Sequence, residues 1–333
     1  MSENRKVLIL GATGAMGTYL VPEMLKKGWQ VDAVSLDKVV SEHPALHYIT
    51  ENAKDIGFIS ECVRNQYDAI VDFMIYASES EFEKYYKLFL ENTKHYIFFS
   101  SYRIYANTVP ITEESPRLLD VSEDEVLLKS GDYAIYKAQE EDMLRKSGYT
   151  NWSILRPAIT YSKKRFQLTT LEANVVITRM WEGKTVVLPE EAMNVQATMS
   201  WAGDVAKMIA GLILNEKAYG ETFTTATAEH HTWREVAQMY CEIGNLKYVT
   251  TNMENYLNIL GPGNIHTRQQ LVYDRLFDRV IDNSKILEVT GLKQEELMPL
   301  KEGLKREFEC LKPGDIAPAA EVNARMDAFL AQN

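Results

Sequence analysis

A doubly wound parallel α/β sheet, followed by a smaller C-terminal α/β unit, is the fold class predicted by three features of this chain. Short β-branched runs alternate with helical patterns over the first 160 residues. A glycine-rich turn separates the first run from the first helix, and the alternation breaks down after Arg156-Pro157. Alternation of this kind implies parallel strands, because each parallel pairing needs a crossover long enough to hold a helix. The predicted strands are 6–10, 31–36, 46–49, 69–74, 95–100 and 152–156, with helices near 15–27, 56–65, 79–92 and 133–147. Pro22 falls inside the first helix and is expected to bend it or weaken one turn.

Beyond residue 160, helices are predicted at 170–182, 202–214, 232–243, 252–259 and 294–310, with apolar runs near 185–188, 196–199, 221–225 and 279–281. Thr232-Trp-Arg-Glu235 has the form of a capping box at the start of one of these helices. Gly261-Pro-Gly263 reads as a loop, and Pro313-Gly314 closes the compact part before an alanine-rich helix at 317–331.

The seven residues GATGAMG at 11–17 lie directly behind the apolar run Val7-Leu8-Ile9-Leu10. Strand, glycine turn and helix in that order make a Rossmann-type seat for a dinucleotide pyrophosphate. Gly11 permits the tight turn, Gly14 removes a Cβ where the phosphate approaches, and Gly17 lets helix and strand pack closely. With Thr13, Ala15 and Met16 they form the expected cofactor loop, its unpaired N–H groups facing the anion. Asp37 stands 20 residues beyond Gly17 at the end of the second strand. A carboxylate there accepts hydrogen bonds from the adenosine ribose and repels a 2′-phosphate, which favours NAD over NADP. Lys38 beside it works against that repulsion, and a simple turn residue after a strand is the other reading of Asp37.

The 333-residue chain carries 36 basic and 47 acidic side chains, a net charge of −11. That balance argues against broad binding to nucleic acid or an anionic membrane, and no apolar stretch approaches a membrane span. Cys62, Cys241 and Cys310 match no metal spacing, so reduced thiols and no metal site are expected. His230-His231 lacks a third ligand and is expected to face solvent. With only four apolar residues before Gly11, no secretory core is present, and the chain reads as cytoplasmic.

Chemistry is suggested by Asp132-Tyr133-Ala-Ile-Tyr136-Lys137. Tyr133 and Lys137 are four apart and share a helix face. A phenol is a poor base near neutrality, with an ordinary pKa of about 10, and a neighbouring ammonium makes it a better one. Tyr136 has Glu140 four residues on, which opposes a phenolate. Upstream, the apolar strand Tyr96–Phe99 ends in Ser100-Ser101, placing hydroxyls at the carboxyl edge of the sheet.

Together these motifs resemble the extended short-chain dehydrogenase/reductases, specifically the NAD-dependent epimerase/dehydratase family. The resemblance runs over about 6–310 and includes Leu155-Arg-Pro157-Ala-Ile-Thr-Tyr161, Gly220-Glu-Thr-Phe223 and Thr232-Trp-Arg-Glu-Val236. It implies an NAD-binding domain over 1–160 and a mainly substrate-binding domain over 161–312, some of whose segments return to the first, with a helical tail at 313–333. It also implies that Gly11, Gly14 and Gly17 hold the pyrophosphate, Asp37 the ribose, and Asn52 and Ala53 the adenine. Phe73 and Met74 would line the cofactor, Pro157 and Ile159 would lie beside the nicotinamide, and Ser101, Tyr133 and Lys137 would be catalytic. A homodimer through helices 79–92 and 133–147 is implied as well.

Departures from the family narrow the reading. Tyr102-Arg103 follow Ser101 where dehydratases carry Asp-Glu, so dehydration is disfavoured. Trp201 and a single aspartate, Asp204, replace the usual His-Val-Asp-Asp. These features are closer to the branch that includes chloroplast stem-loop RNA-binding proteins, which often lack the catalytic tyrosine that this chain retains. Arg179, Arg275 and Arg279 are the candidate substrate residues: in the family an arginine of the latter region clamps a diphosphate. Surface pairing of Arg275 or Arg279 with Asp274 or Asp278 is the competing reading. The function expected first is epimerisation of a sugar nucleotide, at C4, through a transient ketone. A dehydrogenase or reductase of a sugar or small alcohol comes second, and a non-catalytic nucleotide or RNA binder third.

Overall fold

Strand β1 (Lys6–Leu10) sends Val7 and Ile9 into one apolar layer and Leu8 and Leu10 into another, as a strand covered on both faces must. The computed structural model describes residues 5–332. The other strands of its main sheet are β2 (Gln30–Ser35), β3 (Leu46–Thr50), β4 (Tyr67–Asp72), β5 (Thr93–Phe99), β6 (Trp152–Leu155) and β7 (Glu221–Phe223). All seven pair in parallel, in the order β7-β6-β5-β4-β1-β2-β3. The order reverses between β1 and β4, and the crevice beyond the strand ends at such a reversal is where open α/β sheets take ligands.

Helices α1 (Gly17–Lys26), α2 (Ile56–Cys62), α3 (Glu79–Glu91) and α4 (Tyr133–Arg145) are the crossovers of the first part. Later helices include α5 (Ala173–Trp181), α6 (Ala202–Leu212), α7 (Trp233–Gly244), α8 (Leu300–Glu309) and α9 (Ala320–Leu330), and the helix expected at 252–259 forms at Met253–Leu260. α1 and α6 pack together on one face of the sheet, while α3 and α4 lie side by side on the other. The later part of the chain therefore contributes both a strand, β7, and a helix, α6, to the first layer. Its own core gathers Met180, Val187, Trp233, Tyr240 and Leu304. Two short parallel pairs support it, Ile159–Tyr161 with Met199–Trp201 and Thr185–Pro189 with Lys247–Thr251.

Some elements differ from expectation for local reasons. The helix expected at 170–182 begins at Ala173, because Gln167–Leu168 and Leu171–Glu172 first form a small antiparallel pair. The helix expected at 294–310 is split into a turn at Gln294–Glu296 and α8. Pro299 disfavours helical backbone at Met298, which ends the first piece. The run at 279–281 supplies a single bridge, Ile281 to Ile111, rather than a strand. Pro22 lies on the exposed side of α1, which continues past it. Thr232 and Glu235 form the expected capping box on α7. Among the described residues, no helix is long and apolar enough to cross a membrane.

Candidate active site

Backbone alone builds the first half of the site. Gly11 turns with φ +80°, and a Cβ on Gly17 would stand 2.5 Å from the Ala12 carbonyl oxygen, so both glycines are obligatory. A Cβ on Gly14 would meet the Gly11 carbonyl oxygen at 3.2 Å. No side chain caps the start of α1 at Met16; the Thr18 and Tyr19 N–H groups bond back to the Gly14 and Met16 carbonyls, and the earlier N–H groups of the turn face the space an anion would take. A cavity of about 370 Å³ opens over this loop. Thr13, Ala15 and Met16 line it, as do Asp37, Asn52, Ala53, Phe73 and Met74. The Asp37 carboxylate is 62 % exposed at its rim. Ser35 shapes the corner: its Oγ lies 2.5 Å from Thr13 Oγ1 and accepts from the Asp37 N–H at 3.0 Å. A glycine cradle without side-chain caps, ending at an open carboxylate, fits the adenosine half of a dinucleotide.

Met16, Phe73 and Met74 are shared with a second cavity of about 430 Å³. Ser101, Tyr133, Lys137, Pro157 and Ile159 all line this second space. Ser101 ends the run from β5 and accepts the Arg103 N–H at 3.2 Å. Tyr133 is the first residue of α4, whose start is capped by Asp132 accepting from the Ala134 N–H at 2.8 Å. The helix is fixed to the sheet by an ion pair deep in the protein. Arg156 Nε and Nη2 donate to Glu141 Oε1 and Oε2 at 2.9 and 2.6 Å, with neither side chain more than 2 % exposed. Burial opposes the charge on Glu141, but the guanidinium outweighs it and holds the carboxyl below its usual range. Arg156 of the Leu-Arg-Pro run thus serves as the pin between β6 and α4.

Lys137 has a partner that the helical spacing alone leaves ambiguous. Its Nζ donates to Glu140 Oε2 at 2.8 Å, with side-chain exposures of 1 % and 0 %. Burial pushes the Glu140 carboxyl up to about 7, although the ammonium pulls the other way. Asp72 lies fully buried nearby, accepting from the hydroxyls of Tyr76 and Tyr96 at 3.0 and 2.8 Å, and burial raises its carboxyl as well. The ammonium is therefore paired with Glu140, and its charge also acts on the buried Asp72 carboxyl. The Lys137–Glu140 pair was readable as an i,i+3 contact. Asp72 joins only through the fold.

Across the cleft, Arg103 lies 5.4 Å from the centre of the Tyr133 ring and 3.4 Å from Asp132. It belongs to a guanidinium cluster around the buried Asp274, which also pairs with Arg275 and Arg279. Arg275 sits on a single π-helical turn, Leu271–Arg275, and lines the cleft. It also donates to the Tyr102 hydroxyl at 3.0 Å and to the Thr169 carbonyl at 2.7 Å. The pairing with Asp274 is thus real but interior, not on the surface. Two other expectations need correction. Arg279 does not reach the cleft: Asp274, Tyr105 O and Tyr273 O take up its guanidinium at 3.1 Å each. Arg179 faces away, bonded to Thr185 O at 2.9 Å and to Asp327 of α9 at 2.6 Å. Both are 2 % exposed or less; Arg179 ties α5 to α9, and Arg279 ties the segment around Asp274 to the Tyr105 carbonyl. Sequence reasoning had passed over Arg165, Gln167, Glu172 and Gln270, which complete the cleft wall. Nothing in their local pattern distinguishes them.

The family model described as NAD(P)H-binding matches residues 11–180. A curated relative, the chloroplast stem-loop binding protein of 41 kDa b of Arabidopsis thaliana, is 22% identical over 258 residues. That match covers 73% of this chain but 64% of the relative, less than two thirds of its length. The fold is shared with the epimerase Mth375 of Methanothermobacter thermautotrophicus, at TM-score 0.72, 12% identity and 92% coverage of each chain. It is shared too with the UDP-glucose 4-epimerase of Thermotoga maritima solved with UDP-glucose, at TM-score 0.67 and 17% identity, covering 91% of this chain and 97% of that one.

Proposed function

On the premise that the chain belongs to the NAD(P)H-binding family, we propose that it is an NAD-dependent epimerase of a sugar nucleotide, acting at C4 through a transient ketone. The observation that carries this reading is that Ser101, Tyr133 and Lys137 line one cavity, continuous through Met16, Phe73 and Met74 with the glycine cradle. The T. maritima structure, which shares the fold, is a UDP-glucose 4-epimerase and supports the choice of substrate class.

When bound, NAD supplies the acceptor and donor for a hydride. Tyr133 takes the proton of the substrate hydroxyl as its C–H bond breaks, and Ser101 donates to the same oxygen. Lys137 holds the nicotinamide ribose and offsets negative charge near the phenol, while Pro157 and Ile159 close the apolar wall. Once the ketone has turned to present its opposite face to the nicotinamide site, Tyr133 would return its proton to the same oxygen and regenerate the hydroxyl. The net change is inversion at carbon with no net oxidation or reduction. Asp37 directs the choice toward NAD, and Arg275, the one substrate arginine expected from the sequence that borders the cleft, lines it together with Arg103 and Arg165 and would have to exchange its present partners for a diphosphate. We further propose a cytoplasmic homodimer joined through α3 and α4, which sedimentation would test.

The deciding experiment offers purified protein a panel of sugar nucleotides and follows epimers by NMR alongside the near-ultraviolet absorbance of reduced nicotinamide. Inversion without net reduced cofactor is expected. Net accumulation of reduced cofactor would replace this reading with a dehydrogenase. The name of the Arabidopsis relative raises stem-loop RNA as another ligand. The net charge of −11 opposes it, and a mobility-shift titration with a stem-loop decides.

A further inference from the structure

A lysine from the second unit reaches across to the glycine cradle. The tight turn Ser162–Arg165 closes on itself by two backbone hydrogen bonds of 2.9 Å between its end residues. Its position is set by Glu307 of α8, which accepts from the Lys163 N–H at 2.8 Å, from Trp201 Nε1 at 2.7 Å and from the Tyr19 hydroxyl of α1 at 2.5 Å. Glu307 is 2 % exposed, so this anchor ties the turn firmly to the start of α1. From there Lys164 extends over the loop. Its Nζ donates to the Thr13 carbonyl at 2.7 Å and stands 4.0 Å from Asp37 Oδ2.

A backbone carbonyl offsets only part of an ammonium charge, and the Asp37 carboxylate is too far and too solvated to complete it. The cradle beside it presents N–H groups and no side-chain cap, a setting for an anion. The charged groups lining this space are the carboxylates Asp37 and Glu51, and Lys164, on the Thr13 carbonyl at its rim, is the cation set against them for an entering phosphate. We propose that Lys164 is the charged phosphate ligand for the adenosine half of the dinucleotide, exchanging the Thr13 carbonyl for a phosphate oxygen when the cofactor binds. This rests on the cofactor reading above. The next residue, Arg165, lines the substrate cleft, so one turn touches both ligands.

The test is calorimetric titration of NAD⁺, NADP⁺ and adenosine into the wild type, Lys164→Gln and Lys163→Gln. Lys163 carries an exposed side chain on the same turn and controls for net charge. Lys164→Gln is expected to weaken dinucleotide binding about three- to tenfold and to reduce its salt dependence, leaving adenosine binding and the melting temperature unchanged. Lys163→Gln is expected to change none of these. An equal loss for both dinucleotides assigns the contact to the 5′-pyrophosphate, and a loss confined to NADP⁺ assigns it to the 2′-phosphate. Wild-type binding retained in full by Lys164→Gln would overturn the proposal. Failure of the wild type to bind either dinucleotide would instead overturn the cofactor reading itself.

Discussion

The two ends of the cleft are built from different materials. At the adenosine end the work falls to backbone: a left-handed glycine, a close helix–strand contact and uncapped N–H groups, all within seven residues, with the Asp37 carboxylate open to water. At the reacting end it falls to several buried charge clusters that the fold brings to one cleft, with Lys137 against Glu140, Arg156 against Glu141, and three guanidiniums about Asp274. The first kind of site tolerates the loss of one side chain, because no single group carries it. In the second, removing one partner leaves another charge stranded in a dry interior, so each substitution is costly.

The largest expected effect tests the reacting end directly. Tyr133→Phe keeps the ring against Arg103 but removes the proton carrier, and turnover is expected to fall by about 10²–10⁴-fold. NAD⁺ affinity, measured by titration, is expected to stay within twofold or so, since the adenosine end holds most of the cofactor contacts. Turnover that survives the change would take the phenol out of the reaction. Next comes the pin under α4. Glu141→Gln preserves shape while stranding the Arg156 guanidinium, and urea unfolding is expected to show a loss of about 3–5 kcal/mol. A loss below about 1 kcal/mol, the size of a surface pair, would mean that the interior there is wetter than its packing implies.

The contrast also explains what was legible beforehand. The six strands of the first part and four of its helices follow from alternation and turn residues, and the structure places them close to expectation, whereas the short helices Leu118–Val121 and Glu125–Lys129 were not anticipated. GATGAMG and Asp37 could be placed because a local run of residues specifies a local shape. Ser101, Tyr133 and Lys137 share one cavity as the resemblance implied. The arginines were read less well. Arg179, Arg275 and Arg279 look alike in sequence, yet only Arg275 borders the cleft, through a π-helical turn that no periodicity announces. Lys164 meets Thr13 across 151 positions, and Asp72 feels the Lys137 charge only because α4 starts at the edge of the sheet where β4 ends. Contacts of that range depend on tertiary packing, which a one-dimensional pattern does not contain.

Glu140 sharpens the comparison through pH. Its carboxyl is raised by burial from the ordinary 4.5 to about 7. Between those values the folded protein holds a proton that the unfolded chain has released, so this group makes stability fall as pH rises through that window. Glu140→Gln removes the dependence. The difference between wild-type and variant unfolding free energies is expected to change by on the order of 2 kcal/mol between pH 5 and about 7.5, whatever the offset from leaving Lys137 unpaired. Parallel pH profiles for the two proteins would show that Glu140 stays ionised throughout, held by Lys137.

The smallest expected effect belongs to the exposed carboxylate. Asp37→Ala should raise the dissociation constant for NAD⁺ about three- to tenfold, the worth of one or two hydrogen bonds to a ribose, while leaving NADP⁺ binding unchanged or slightly tighter. The preference between the two narrows, and competitive titration of both dinucleotides measures it. The modest size follows from the site's construction: the carboxylate is 62 % exposed, so water replaces it readily in the variant. The neighbouring ammonium of Lys164 tests the same idea from the other side. In the double variant Asp37→Ala, Lys164→Gln, the two changes should add if each acts on its own ligand group and fall short of additivity if the 4.0 Å pair matters. Identical preference in the wild type and Asp37→Ala would show that discrimination lies in the shape of the cradle rather than in its one open carboxylate.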